Sequence, residues 1–140
     1  MSMDPPKVLL ELSFLRAVAE PGHERRSDAA AAYAALVDRY EREEVLLVAV
    51  GDHLREHDLG PAPTTQQRVG WFLRRPRRGL FAPVDPLHVG RQHRRAAART
   101  AVDDIDMALT LVMMSRHGVR RVATLNDAFA AFDLEIVPVA

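Results

Sequence analysis

Four short apolar runs constrain this chain more than any other feature. They are KVLL at residues 7–10, VLLVAV at 45–50, RRVATL within 119–125 and LEIVPV at 134–139. Each reads as a strand, and segments of helical character separate them. Such alternation predicts a three-layer α/β/α fold around a central, mainly parallel sheet. The chain's 140 residues, 48% of them hydrophobic, suit a single domain over 1–140 with one core.

The intervening segments carry their own signals. ELSFLRAVAE continues from the first strand into a turn or short helix, broken at Pro21-Gly22. Ala29, Ala32, Tyr33, Leu36, Val37 and Tyr40 recur on one face of a 3.6-residue period, with Ser27 as the expected N-cap and Asp28 in the first turn. Gly51-Asp52 opens a helix expected to stop at Gly60, and residues 61–67 read as a loop. FAPVDP is extended and proline-rich, suited to an edge strand. Helices are expected from about Leu87 to Thr100 and over Asp106–Met114, the latter apolar almost all round and therefore central. Gly118 ends it, and Asn126–Ala131 forms a short helix or turn.

Composition removes several classes of function. Cysteine is absent, which excludes a disulfide scaffold, a cysteine zinc site and a thiol nucleophile. No apolar run approaches the roughly 20 residues of a membrane helix. The opening MSMDPPK has acid and proline where a signal peptide carries basic and then apolar residues, so the expected compartment is the cytoplasm. No glycine-rich phosphate loop occurs. Lys7 is the only lysine, which removes the near-C-terminal lysine of a receiver domain. The 19 basic and 19 acidic residues balance, but unevenly: residues 61–102 hold nine arginines and a single acid, Asp85.

In open parallel sheets, sites form beyond the carboxyl ends of the strands. Glu11 directly follows the first run, Glu56 lies at least a turn beyond the second, and Asn126 and Asp127 follow the third. Asp103, Asp104 and Asp106 cluster where the apolar helix begins. Converging carboxylates are costly unless a cation neutralises them, and hard oxygen donors suit Mg²⁺ or Mn²⁺. Each acid also has a simpler role: Asp103 and Asp104 as helix N-terminal acids, Asp127 as a turn residue, Glu56 as the partner of an arginine on a solvated face.

At these residues the chain resembles the PIN-domain ribonucleases, particularly the toxins of VapBC toxin–antitoxin pairs. KVLLELSFLRAVAEPGHERR is similar to their opening strand, acid and serine, with Ser13 as the serine. LLVAVGDHLRE resembles the second signature, which assigns Glu56 as a metal ligand. DMALTLVMMSRHGVRRVATLNDAFAAFDLEIVPV resembles the rest, with Thr124, Asn126 and Phe129 in matching places. The resemblance implies a metal-dependent endoribonuclease with Glu11, Glu56 and Asp106 as catalytic ligands of Mg²⁺ or Mn²⁺. Asp103, Asn126 and Asp127 would join the metal set, and Ser13 and Thr124 would support it. It further implies an RNA substrate, an antitoxin partner and a homodimer. The chain departs from the family pattern in having Glu11 for an aspartate, Asn126 at the fourth position, and Asp106 twelve rather than eleven residues before Gly118. Those departures define the alternative, a degenerate PIN-like domain that binds RNA or a protein without cutting.

The arginine-rich segment is expected to hold the RNA backbone, with Arg74, Arg75, Arg77 and Arg78 as the principal contacts. Trp71 and Phe72 beside them suit stacking on an unpaired base or anchoring a partner. Replacing the four arginines by alanine is expected to weaken RNA binding and flatten its dependence on salt, read by titration at several KCl concentrations. An unaltered slope would remove this segment from the RNA surface.

Overall fold

Parallel strands buried on both faces must send alternate side chains into two separate layers, and this chain does so. The computed structural model describes residues 4–58, 81 and 83–139, the side chains of residues 56–58 excepted. Its elements are β1 (Lys7–Leu10), α1 (Leu12–Ala19), α2 (Arg26–Glu41), β2 (Leu46–Val50), α3 (Gly51–Asp58), β3 (Asp85–Leu87), α4 (Arg91–Ala98), α5 (Ile105–Arg116), β4 (Arg121–Ala123), a 3₁₀ turn (Asp127–Ala131) and β5 (Glu135–Val137). The strands form one sheet in the order β3-β2-β1-β4-β5, and every pairing is parallel. The expected α/β three-layer fold is therefore the observed one.

On one face, Val8 and Leu10 of β1, Leu47 and Ala49 of β2 and Ala123 of β4 pack with Phe14, Leu15 and Val18 of α1 and with Ala29 and Leu36 of α2. On the other, Leu9, Val48, Val50 and Val122 pack with Ala97 of α4 and with Ala108, Leu109, Met113 and Met114 of α5. Tyr33 of α2 meets Phe81 edge-on, with ring centroids 5.2 Å apart. Among the described residues no helix is long and apolar enough to cross a membrane.

Local details differ from the sequence-based expectations in instructive ways. Ser27 does not cap α2. The helix starts a residue earlier at Arg26, the Arg25 cap position has no side-chain cap bond, and Asp28 pairs with Arg25 at 3.2 Å. Leu87 belongs to β3, opposite Val50, and α4 begins only at Arg91. There the Gly90 N–H donates to His93 Nδ1 at 2.8 Å, which supplies the start signal. Pro86 lies in an edge strand, the place where a sheet admits proline. α5 is not buried all round: Met107–Thr110, Met113 and Met114 face inward, Leu111 and Val112 are half-buried, and Ser115 and Arg116 are exposed. The helix stop at Gly60, the loop at 61–67, Trp71 and Phe72, and Arg74, Arg75, Arg77 and Arg78 lie outside the described residues.

Two glycines are fixed by geometry. Gly118 closes α5 at φ +65°, in the left-handed region. Gly51 joins β2 to α3 against β3, and a Cβ there would stand 2.7 Å from the Leu87 carbonyl oxygen. Gly51→Ala is expected to destabilise the chain by about 1–3 kcal/mol, because a backbone atom has to yield. Urea unfolding measures this as a lowered midpoint at constant slope; an unchanged midpoint would show that β3 shifts freely.

Candidate active site

The strand order reverses direction between β1 and β4, so the chain departs to opposite sides from adjacent carboxyl ends and leaves a crevice there. Glu11 and Thr124 stand at those two ends. The Glu11 N–H donates to the Ala123 carbonyl at 3.0 Å, which extends the ladder by one step and fixes the start of the side chain. Glu11 is 6% exposed. Its Oε1 accepts from the Ser13 N–H at 3.1 Å, from Thr124 Oγ1 at 2.6 Å, and from the Ser13 hydroxyl.

Proton accounting fixes the direction of these bonds. Ser13 Oγ also accepts from the Leu125 N–H at 2.9 Å, and Thr124 Oγ1 accepts from the Asn126 N–H at 2.9 Å. Each hydroxyl has one proton, and each directs it at Glu11. The 3.3 Å approach of the two hydroxyls is then a contact rather than a donated bond. Three donors converge on Oε1, while among the described residues Oε2 accepts none. Among the described residues, the carboxylate is thus held through one oxygen. Asn126 caps the 3₁₀ turn, its Oδ1 accepting from the Ala128 N–H at 3.0 Å, and Asp127 beside it is exposed.

A second group lies where β2 runs into α3. Leu9 pairs with Val48, so Val50 ends β2 beside Glu11 and Gly51 opens α3 there. His53, in the first turn of α3, is buried, and its Nε2 is 3.2 Å from Asp106 Oδ1. Asp106 occupies the first turn of α5 with its side chain about half exposed. Asp104 is the cap of that helix, its Oδ1 accepting from the N–H groups of Asp106 at 3.0 Å and Met107 at 3.2 Å. From sequence Asp104 is expected to be a helix N-terminal acid, and the structure makes it the cap itself. Asp103 precedes the cap and is exposed, so it does not share a helical face with Asp106. Asp52 is bound by Arg94 Nη2 at 2.5 Å. Asp52, His53, Arg94, Ala97, Ile105, Asp106 and Leu109 line an open cleft of about 380 Å³.

Among the described residues, no three His, Asp or Glu side chains converge on one point. Glu56, one helical turn beyond Asp52 on the same face of α3, has its side chain outside the described residues. Sequence reasoning passed over Asp52, His53 and Arg94. The strand-end rule points to Asp52 and His53, the first side chains after VLLVAV, whereas the family pattern drew attention onward to Glu56. Nothing local marks Arg94 among so many arginines.

An all-parallel five-stranded sheet of this order, layered by helices on both faces, is a doubly wound α/β fold, and here an acid stands at its point of reversal. No family model matches the chain, and no curated protein matches it. Among solved structures it is similar to VapC20 of Mycobacterium tuberculosis, described as a sarcin–ricin loop cleaving toxin, with a TM-score of 0.59 and 17% identity over 91% of this chain and 98% of that one. At that identity the likeness is one of fold, and it agrees with the resemblance seen in the sequence.

Thr124→Val and Ser13→Ala each strip a donor from the buried Glu11 oxygen. Each is expected to cost about 1–3 kcal/mol. Because both act on one atom, a double-mutant cycle should show coupling above about 0.5 kcal/mol. Strict additivity in urea unfolding would show that the two hydroxyls do not share Oε1.

Proposed function

We propose that this chain is a divalent-metal-dependent endoribonuclease, the toxin of a toxin–antitoxin pair. The observation that carries this reading is the Glu11 carboxylate at the β1/β4 reversal, with Oε1 fixed by Ser13 and Thr124 and Oε2 without a partner among the described residues. Hard oxygen donors at this sheet edge suit Mg²⁺ or Mn²⁺, and a carboxylate prevented from rotating suits a metal with strict octahedral demands. Glu11, Glu56 and Asp106 would be the principal ligands, with Asp103, Asn126 and Asp127 at the margin. A bound ion of this kind lowers the pKa of a water and polarises a phosphodiester oxygen.

The protein's own residues do the rest. Ser13 and Thr124 hold Glu11 in one rotamer, and His53 holds Asp106 at the cleft. Arg74, Arg75, Arg77 and Arg78 would bind the RNA backbone without regard to sequence. On this reading the partners are an RNA substrate and a protein antitoxin, with a second copy of the chain in a homodimer, and the compartment is the cytoplasm.

One observation favours a second reading, a degenerate PIN-like domain that binds without cutting. Asp52 is engaged by Arg94 and Asp106 by His53, which leaves Glu11 as the one buried carboxylate with an open oxygen among the described residues. Cleavage of a labelled stem–loop RNA in Mn²⁺ separates the two. Wild type should cut, whereas Glu11→Gln, Glu56→Gln and Asp106→Asn should each abolish cutting while the fold remains intact. Unchanged cleavage by all three variants would refute the assigned site. Absence of cleavage by wild type, with no Mn²⁺-induced rise in Tm, would establish the second reading.

A further inference from the structure

Arginines on α4 stand apart from most others in the described chain. Residues 86–102 contain no acid, yet carry Arg91, Arg94, Arg95 and Arg99, all exposed. Arg91, Arg94 and Arg95 fall at i, i+3 and i+4, so they share one side of the helix. Ala97 is 2% exposed and anchors α4 in the same core layer as Ala108, Leu109 and Met113 of α5. That packing turns Arg94, one turn earlier, toward the cleft that Ala97, Leu109 and Asp106 also line. Among the described residues, Arg25, Arg39, Arg42, Arg120 and Arg121 are paired with acids, but on α4 only Arg94 is, and its partner Asp52 lies in the cleft.

We infer that α4 grips the RNA phosphate backbone beside the candidate active site, with Arg94 as the phosphate-binding residue of the cleft and Asp52 as the residue that positions it. The inference rests on the ribonuclease reading of the adjoining site. Asp52 and Asp106 alone would repel a phosphodiester, and among the described residues Arg94 is the arginine that lines the cleft with them. Its guanidinium uses Nη2 on Asp52, and among the described residues no acceptor takes its other donors. A pair exposed to this degree, 57% for Arg94 and 35% for Asp52, contributes little to stability. Its physical effect is to hold a planar fork of free donors at the cleft mouth, in a geometry suited to bidentate phosphate contact. Arg91 and Arg95 continue the positive face outward for neighbouring phosphates.

The test is binding of a short fluorescein-labelled single-stranded RNA of mixed sequence, in EDTA, at a series of KCl concentrations. Arg94→Ala should weaken binding and reduce the slope of log Kd against log salt by roughly 0.7, and the Arg91/Arg94/Arg95 triple alanine variant should reduce it by about 2. Arg120→Ala, at the opposite end of the parallel sheet, should leave the slope unchanged. Asp52→Asn removes a negative charge and would tighten RNA binding if Asp52 acted only by repulsion; weaker binding marks it as positioning Arg94. Equal slopes for wild type and the triple variant, or equal losses for Arg120→Ala, would overturn the inference. So would unaltered RNA binding by Arg94→Ala accompanied by a new Mn²⁺-induced rise in Tm, which would make Arg94 the occupant of a cation's place. Because binding is read without metal, RNA held through α4 but never cut would defeat the nuclease reading and spare this one. Cutting with an unaltered slope in the triple variant would do the reverse.

Discussion

The candidate site depends on how one buried carboxylate is held. Glu11 follows directly on β1, where the sheet order reverses, and a charged group so enclosed is tolerated only when its hydrogen bonds are made. Ser13 supplies its backbone N–H and hydroxyl because Glu11 is the N-cap of α1, so this half of the arrangement is local. Thr124 reaches the same oxygen from the end of β4, 113 residues away in the chain, so the other half exists only when the sheet is assembled. Folding and the shape of the site are thereby tied to one oxygen atom.

The other acids at this edge are arranged by different means. Asp104 is consumed as a helix cap, Asp106 is drawn toward buried His53, and Asp52 toward Arg94. Each arrangement lowers the repulsion that several carboxylates would otherwise feel at the carboxyl ends of parallel strands. The result is a graded surface. A carboxylate anchored through one oxygen lies at the β1/β4 reversal, and an open cleft of mixed charge lies beyond β2. Arg94 of α4 and Asp106 of α5 line the same cleft because the two helices lie on the same layer of the sheet.

Much of the architecture was legible because the signals are local. All four apolar runs contain strands, the last of them an exposed edge strand, and Gly118 ends α5 in the left-handed conformation that closes the helix there. Expectations failed where two local signals competed. Ser27 is a good cap residue, but α2 begins with Arg26 and spends Asp28 on Arg25 instead. Leu87 is expected from sequence to open a helix, yet the sheet claims it because pairing with Val50 buries it.

The sequence by itself determined the alternation of strands and helices, the absence of cysteine chemistry, and the position of acids just past strand ends, since each depends on neighbours within a few residues. Tertiary structure alone decided that Thr124 shares an oxygen with Ser13, that His53 meets Asp106, and that Arg94 stands in the cleft. Those are contacts between segments far apart in the chain. Their partners are chosen by strand order and helix packing, and neither of these leaves a periodic trace in the order of residues.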